Sequence, residues 1–374
     1  MPSTETLAEA ERVMTICNAC RYCEGHCAVF PAMERRLDFS AGDLNYLANL
    51  CHNCGACYHH CQYAPPHEFA VNVPRTFAEL RAQTYREYCW PAFLAPLLER
   101  NGLAVSLITT ACLVLFLLGS FLLVEPATLF GRHTGEGAFY AVIPHNTMVT
   151  IFGLVSIYVI VAFVMGFRQF WRETGESMAD FASGPPFWEA VRDALRLRYL
   201  DGGSGDGCTY PTEAPSQARR WYHHLTFYGF MLCFAATCVA TVYHYAFGWE
   251  APYPPLSLPV VLGTVGGIGL LIGPAGLLWL KREADPEPYA YPQRSMDDAF
   301  LVLLLLSSLT GLVLLLLRAT PAMGVLLAVH LGVILGLFLT LPYGKFVHAI
   351  YRFAALVRYA LERRRPLTHA LTEE

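Results

Sequence analysis

The chemistry of this chain is concentrated in cysteine and histidine. Eight of its thirteen cysteines fall into two copies of one spacing, Cys17-x2-Cys20-x2-Cys23-x3-Cys27 and Cys51-x2-Cys54-x2-Cys57-x3-Cys61. Three thiolates on a tight loop bind three corners of an iron–sulfur cube, and the fourth cysteine of such a run ligates the other cube. The expected sets are Cys17, Cys20 and Cys23 with Cys61, and Cys51, Cys54 and Cys57 with Cys27, holding two [4Fe-4S] clusters. Structural zinc, which is four-coordinate, would leave the third member of each triplet unused. Disulfides do not explain a repeated triplet. The proline that usually follows the fourth cysteine is replaced by Ala28 and Gln62, with Pro31 and Pro65 slightly later. That bears on loop geometry rather than on ligation. His26, His52, His59, His60 and His67 surround the motifs. With all eight sulfur positions filled, they read as supporting or exposed residues rather than as ligands.

Histidine supplies the second constellation. One apolar run, WYHHLTFYGFMLCFAATCVATVYHY, has His223 and His224 at one end and His244 at the other; a second, HLGVILGLFLTLPYGKFVH, runs from His330 to His348. Ligand-type residues inside apolar spans are functional candidates by default. His330 and His348 are 18 residues apart, which is five turns of about 3.6 residues, so they face the same way about 27 Å apart. His223 falls about 60° from a common face with His244, and His224 about 200° from it. His223 is therefore the better ligand and His224 the alternative. The two runs cross in opposite directions, which sets His223 level with His348 and His244 level with His330. Facing pairs at two depths suit b-type haem, one or two, each iron taking an imidazole from each helix. Gly229, Ala235, Ala236, Gly332 and Gly336 leave room for flat macrocycles. His145, at the start of another run, reads as interfacial, with a quinone site as the alternative.

These residues need a membrane scaffold. A soluble domain is normally about 25% charged, whereas this chain of 374 residues is 15% charged and 55% hydrophobic. Six apolar runs, roughly 103–124, 146–167, 224–247, 257–280, 299–317 and 323–341, each approach or exceed the length that spans a bilayer. Residues 1–90 form a polar, cysteine-rich head and 91–102 an interfacial connector. The membrane part is 103–348, and 349–374 reads as a basic tail. Between the cysteine motifs, Ser40 or Asp43 caps a short helix that turns Leu44, Leu47 and Leu50 inward. The expected fold class is mostly α: a helical di-cluster ferredoxin head followed by a six-helix, cytochrome b-like transmembrane bundle.

The opening MPSTETLAEAERVMTICNAC has no apolar core, so no cleaved signal is expected. Loops 168–223, 281–298 and 342–374 are rich in Lys and Arg, while the opposite loops hold only Arg132 and Arg318. The expected site is the bacterial inner membrane with both termini cytoplasmic, where a reducing compartment keeps thiols available. A formal net charge of −4 gives no reason to expect nucleic acid as a partner. Within the long inner loop, FWEAVRDALRLRYL is amphipathic, which suits a plain surface helix as well as one that lies on the membrane or docks a partner.

The sixth run resembles the dihaem cytochrome b subunit of respiratory nitrate reductases and heterodisulfide-reductase-like complexes. With the doubled cysteine motif in front and WYHHLTFYGFMLCFAATCVATVYHY inside, nearly the whole chain resembles the tricarballylate/citrate-utilisation protein B family. That resemblance implies a partner flavoprotein, an FAD-containing dehydrogenase acting on a tricarboxylate. Its reduced flavin is reoxidised through iron–sulfur and haem centres, with quinone as the acceptor. No flavin-binding GxGxxG unit is visible here, so the flavin belongs to another chain. No acid–base constellation for substrate chemistry is present, which makes this an electron-transfer subunit. The same wire run inward from quinol is the nearest rival. An organic-acid transporter with a redox head is the rival of another class, and a membrane-bound redox regulator is a third.

Overall fold

The computed structural model describes residues 4–182, 184–203, 205–289 and 294–366. The head consists of α1 (Thr4–Cys20), α2 (Val29–Met33), α3 (Ala41–Leu50), α4 (Ala56–His59) and α5 (Val73–Glu87). A short α6 (Pro96–Glu99) leads into α7 (Asn101–Leu123), followed by the short α8 (Pro126–Leu129) and α9 (Ala138–Val142) and then α10 (His145–Glu173). Beyond α11 (Met178–Phe181) and α12 (Gly184–Arg196) come α13 (Ala218–Phe247), α14 (Leu258–Glu283), α15 (Arg294–Leu317), α16 (Met323–Thr340) and α17 (Val347–Glu362). Six helices, α7, α10, α13, α14, α15 and α16, are long and apolar enough to cross a membrane. Leu122, Leu123 and Leu316 are among the large apolar side chains their surfaces leave bare, as a lipid-facing exterior requires. The chain is a mostly helical, multi-pass membrane protein. A single two-residue hairpin, Cys208–Thr209 against Pro215–Ser216, is the β-structure of the described residues.

The head folds as its local sequence dictates. Ser40 caps α3: its Oγ accepts from the Asp43 amide at 3.2 Å, and the Asp43 carboxylate accepts in return from Ser40. Such a reciprocal cap is worth about 1 kcal/mol. It starts the helix in the register that buries Leu44, Leu47 and Leu50.

Residues from 349 onward are not a loose tail as far as Glu362. α17 turns back beneath the head, and Ala354, Ala355 and Val357 pack in one core with Met14, Tyr46 and Phe77. The basic residues of this stretch are part of the packing. Arg36 reaches both Asp43 (2.8 Å) and Glu362, while Arg358 reaches Asp43 (3.0 Å) and Glu362 (3.1 Å). The Tyr46 hydroxyl donates to Glu362 at 3.0 Å. The amphipathic α12 finds its partner inside the chain as well, laying Phe187 edge-on to Phe353 of α17 at 5.5 Å.

Small residues set the helix spacing. A Cβ on Gly229 would stand 2.9 Å from the Gly266 carbonyl oxygen, so α13 and α14 touch backbone to backbone. Gly332 and Gly336 press in the same way on Leu113 and Thr109 of α7. The space expected at Gly229, Gly332 and Gly336 for macrocycles is therefore filled by neighbouring helices. Gly229 is the one fully buried residue of α13; the others are part-buried or exposed.

Candidate metal centres

The two cysteine motifs share one backbone feature, although residues 17–20 end helix α1 while residues 51–54 are non-helical. The residue after the second cysteine is left-handed in both, Arg21 at φ 56° and Gly55 at φ 83°. At Gly55 the hairpin also approaches, and a Cβ would sit 2.7 Å from the Thr209 carbonyl oxygen. A cavity of about 210 Å³ is lined by Cys17, Cys20, Cys23, Cys57 and Cys61. Burial pushes Cys17 and Cys23 up to about 12, and in each case Cys61 and Cys20 add to the rise. Burial likewise raises Cys27, whose strongest thiol neighbours are Cys54 and Cys51, and Cys57, which feels Cys54, Cys51 and Cys27. Cys54 also bears on Cys23, and Cys23 on Cys27 and Cys57, so the thiols form one crowded, buried group in which each motif's fourth cysteine lies near cysteines of the other motif. Thiols crowded and buried in this way ionise only when a cation stabilises them, the electrostatic signature of a metal site. Among the described residues no three His, Cys, Asp or Glu side chains converge on a single metal ion. The thiols surround a volume instead, and they fit an iron–sulfur group.

One thiol lies outside the motif arithmetic. Cys208, fully buried on the hairpin, donates to the Leu200 carbonyl at 3.2 Å and packs beside Cys54. Its thiol holds Cys54 below the ordinary thiol range. No spacing pattern marks Cys208; only the fold brings it here.

The cysteine-adjacent histidines divide. His60 and His26 form an exposed pair, 2.9 Å between ring nitrogens. His52 is buried and donates Nδ1–H to the Leu50 carbonyl at 2.9 Å. Burial and then Arg352 push it well below its usual value, so it is neutral.

At the head end of the bundle, the rings of His223 (α13) and His348 (α17) stand 6.3 Å apart, centroid to centroid, at 87°. That separation leaves room for one ion at a bond of about 2 Å to each ring. His348 donates Nδ1–H to the Lys345 carbonyl, which leaves Nε2 as the lone-pair nitrogen, the usual arrangement for a ligating imidazole. Burial, Arg352 and Lys345 hold His348 neutral. Nδ1 of His223 is buried without a hydrogen bond. His224 turns elsewhere, toward Tyr228 and Trp221. The pair leaves room for one metal ion between two helices.

The far-end histidines are arranged differently from the sequence expectation. His244 does not meet His330 in any ring contact among the described residues; it stacks on His145 of α10, at 3.7 Å and 19°. Tyr140 stands edge-on to both. His330 shares a hydrogen bond with Thr310 Oγ1 of α15 at 3.0 Å and lies against Gly311. His244 Nδ1 is buried without a partner. His145, read from sequence as interfacial, is the residue that sequence reasoning left out of this constellation.

A doubled four-cysteine head on six membrane-spanning helices defines a multi-pass membrane protein with an iron–sulfur head. Family comparison agrees. Residues 10–87 match the model described as the citrate utilization protein B Fer4-like domain, and residues 96–369 match citrate utilization protein B. A relative from Escherichia coli described as citrate utilization protein B is 54% identical over 365 residues, covering 97% of this chain and 94% of the relative. This chain belongs to the citrate utilization protein B family. No solved structure matches it. Its Fer4-like head is of the iron–sulfur, electron-transfer type.

Proposed function

We propose that this chain is the membrane electron-transfer subunit that reoxidises a partner flavoprotein and delivers the electrons to the quinone pool. It does so with two [4Fe-4S] clusters on its eight motif cysteines and b-type haem on His223 and His348. Such clusters and haems, when bound, pass electrons singly, while flavin and quinone exchange them in pairs. The observation that carries this reading is the contact of the second cysteine loop with the two helices bearing His223 and His348.

The residues have distinct tasks. The cysteines hold the clusters, and His348, fixed by the Lys345 carbonyl, presents Nε2 to the metal. The basic loops support a bacterial inner-membrane protein with both termini in the cytoplasm. The partner is an FAD-containing dehydrogenase, and the relatives' description supports a tricarboxylate such as citrate as its substrate.

The test uses the full chain in liposomes, anaerobically, with photoreduced deazaflavin as a soluble donor and a short-chain quinone. Quinone reduction that depends on this protein is expected. Labelled citrate uptake without quinone reduction would turn the reading toward a transporter.

A further inference from the structure

Two arginines stand one helical turn from the two inner histidines. Arg219 precedes His223 by four residues on α13, and Arg352 follows His348 by four on α17, so each shares a face with its histidine. Both reach the same loop of the head. Arg219 donates to the carbonyls of Asn53 and His52 (3.2 Å to the latter). Arg352 donates to the Cys51 carbonyl at 2.7 Å and to Asn49 at 3.4 Å. A third guanidinium, the buried Arg81, takes the Ala48 carbonyl at 2.6 Å and also reaches Cys51. Asn53 is held left-handed, φ 55°, a conformation that non-glycine residues seldom adopt. Its amide points at Cys51 Sγ, 3.4 Å away. Loops of this kind normally give their carbonyls to water; here four successive or near-successive carbonyls go to cations that two membrane-anchored helices supply.

We infer that Arg219 and Arg352 are the positioning residues that fasten the second cysteine loop to the inner histidine pair, making the cluster on Cys27, Cys51, Cys54 and Cys57 the exit from the head. This inference rests on the electron-transfer reading above and deepens it. The opposite set becomes the entrance. Cys17, Cys20, Cys23 and Cys61, together with Cys57 of the exit set, line a cavity open beside Tyr22, which is 69% exposed, whereas Cys51 and Cys54 are 7% and 8% exposed. Both guanidiniums also put positive charge next to the exit cluster. A nearby cation, with hydrogen bonds to the ligand loop, stabilises an added electron and raises a cluster's potential. The clamp therefore fixes separation and favours arrival of the electron at the exit cluster.

The test compares wild type with R219Q, R352Q and the double variant, using full-length protein with iron, sulfide and haem assayed on each. In R352Q the potential of one cluster is expected to fall, the same cluster that Cys54→Ser removes or converts, with the other unmoved. In the double variant, haem reduction after photoreduced deazaflavin has filled the clusters is expected to slow on the order of tenfold or more, as a small misplacement of reacting partners does. The relaxation of the exit cluster's paramagnetic signal by ferric haem is expected to weaken alongside. The lysine variants R219K and R352K, which keep charge and one carbonyl bond, are expected to restore the potential and much of the rate. They also give the comparison if glutamine variants lose the cluster. Full cofactor content with unchanged rate and potentials would overturn the inference, as would loss of cluster and haem alike in every variant, lysine included, which would mark the arginines as purely structural. A wild type with clusters and no haem would instead sink the electron-transfer reading itself, so the two failures are distinguishable.

Discussion

His223 and His348, on the third and the last of the long helices after the head, face each other edge to face at 6.3 Å between ring centroids. No other pair of membrane histidines among the described residues is spaced in this way: the far-end pair, His145 and His244, is stacked at 3.7 Å. The inner pair is thus the better-built of the two levels, and it sits directly under the head.

His348→Ala is expected to remove the inner haem and leave iron and sulfide unchanged, since the cysteines lie on other elements. His330→Ala, whose ring is engaged with Thr310 on α15, is expected to spare that inner haem. A pyridine haemochrome assay against non-haem iron reads both. Unchanged haem in His348→Ala would remove the inner pair from the ligand set.

Cys54→Ser is expected to remove or convert one cluster without affecting membrane insertion. Cys54 belongs to the expected set of Cys51, Cys54 and Cys57 with Cys27, and it is the thiol that bears most on both Cys27 and Cys57. Paramagnetic resonance of the reduced protein should show one cluster's signal altered and the other intact. Two normal signals would contradict the thiol grouping.

Glu362→Ala removes a carboxylate that Arg36 and Arg358 share within the head. Breaking a buried pair by deleting one partner leaves an uncompensated charge and costs about 3–5 kcal/mol. The expected result is a lower thermal midpoint for helix and cluster loss in the head, with the membrane helices unaffected. A wild-type midpoint would show that α17 docks through its apolar face alone.

Asp43 gives the head an acid limit. Burial works to raise its carboxyl, but hydrogen bonds from Ser40 and Arg36 and the charges of Arg36 and Arg358 hold it below the usual range. A depressed carboxylate contributes stability that is present above its unfolded value of about 3.9 and lost as pH falls through the folded one. The head is expected to lose helix below about pH 4, and Asp43→Asn to weaken that dependence while lowering stability at neutral pH. Circular dichroism against pH reads it; an identical profile in Asp43→Asn would move the acid limit to other carboxylates.

What was legible from sequence was local or strictly periodic. The cysteine motifs, the six apolar runs and the Ser40 cap each declare themselves within a few turns of chain. What was not legible depends on residues far apart. Arg36 meets Glu362 across 326 positions, which makes a basic tail into a core helix. Antiparallel crossing put His244 level with His330, and five unbroken turns put His330 and His348 on one face; yet α16 ends at Thr340 and His348 stands on α17, and His145 of α10 is the ring that meets His244. The glycines were visible, but whether a small residue admits a cofactor or another backbone is decided by packing, and here Gly229 and Gly266 admit each other. The arginine clamp was hidden because its acceptors are backbone carbonyls, which any residue carries.

The most direct test of the central claim is a reduced-minus-oxidised optical spectrum of the anaerobically purified full chain, with non-haem iron, acid-labile sulfide and haem assayed on the same sample. A b-type α band together with about eight non-haem irons per chain is the predicted result, as two four-iron cubes require. Iron and sulfide without haem would contradict the account, reducing the membrane histidines to packing residues beneath an anchored ferredoxin.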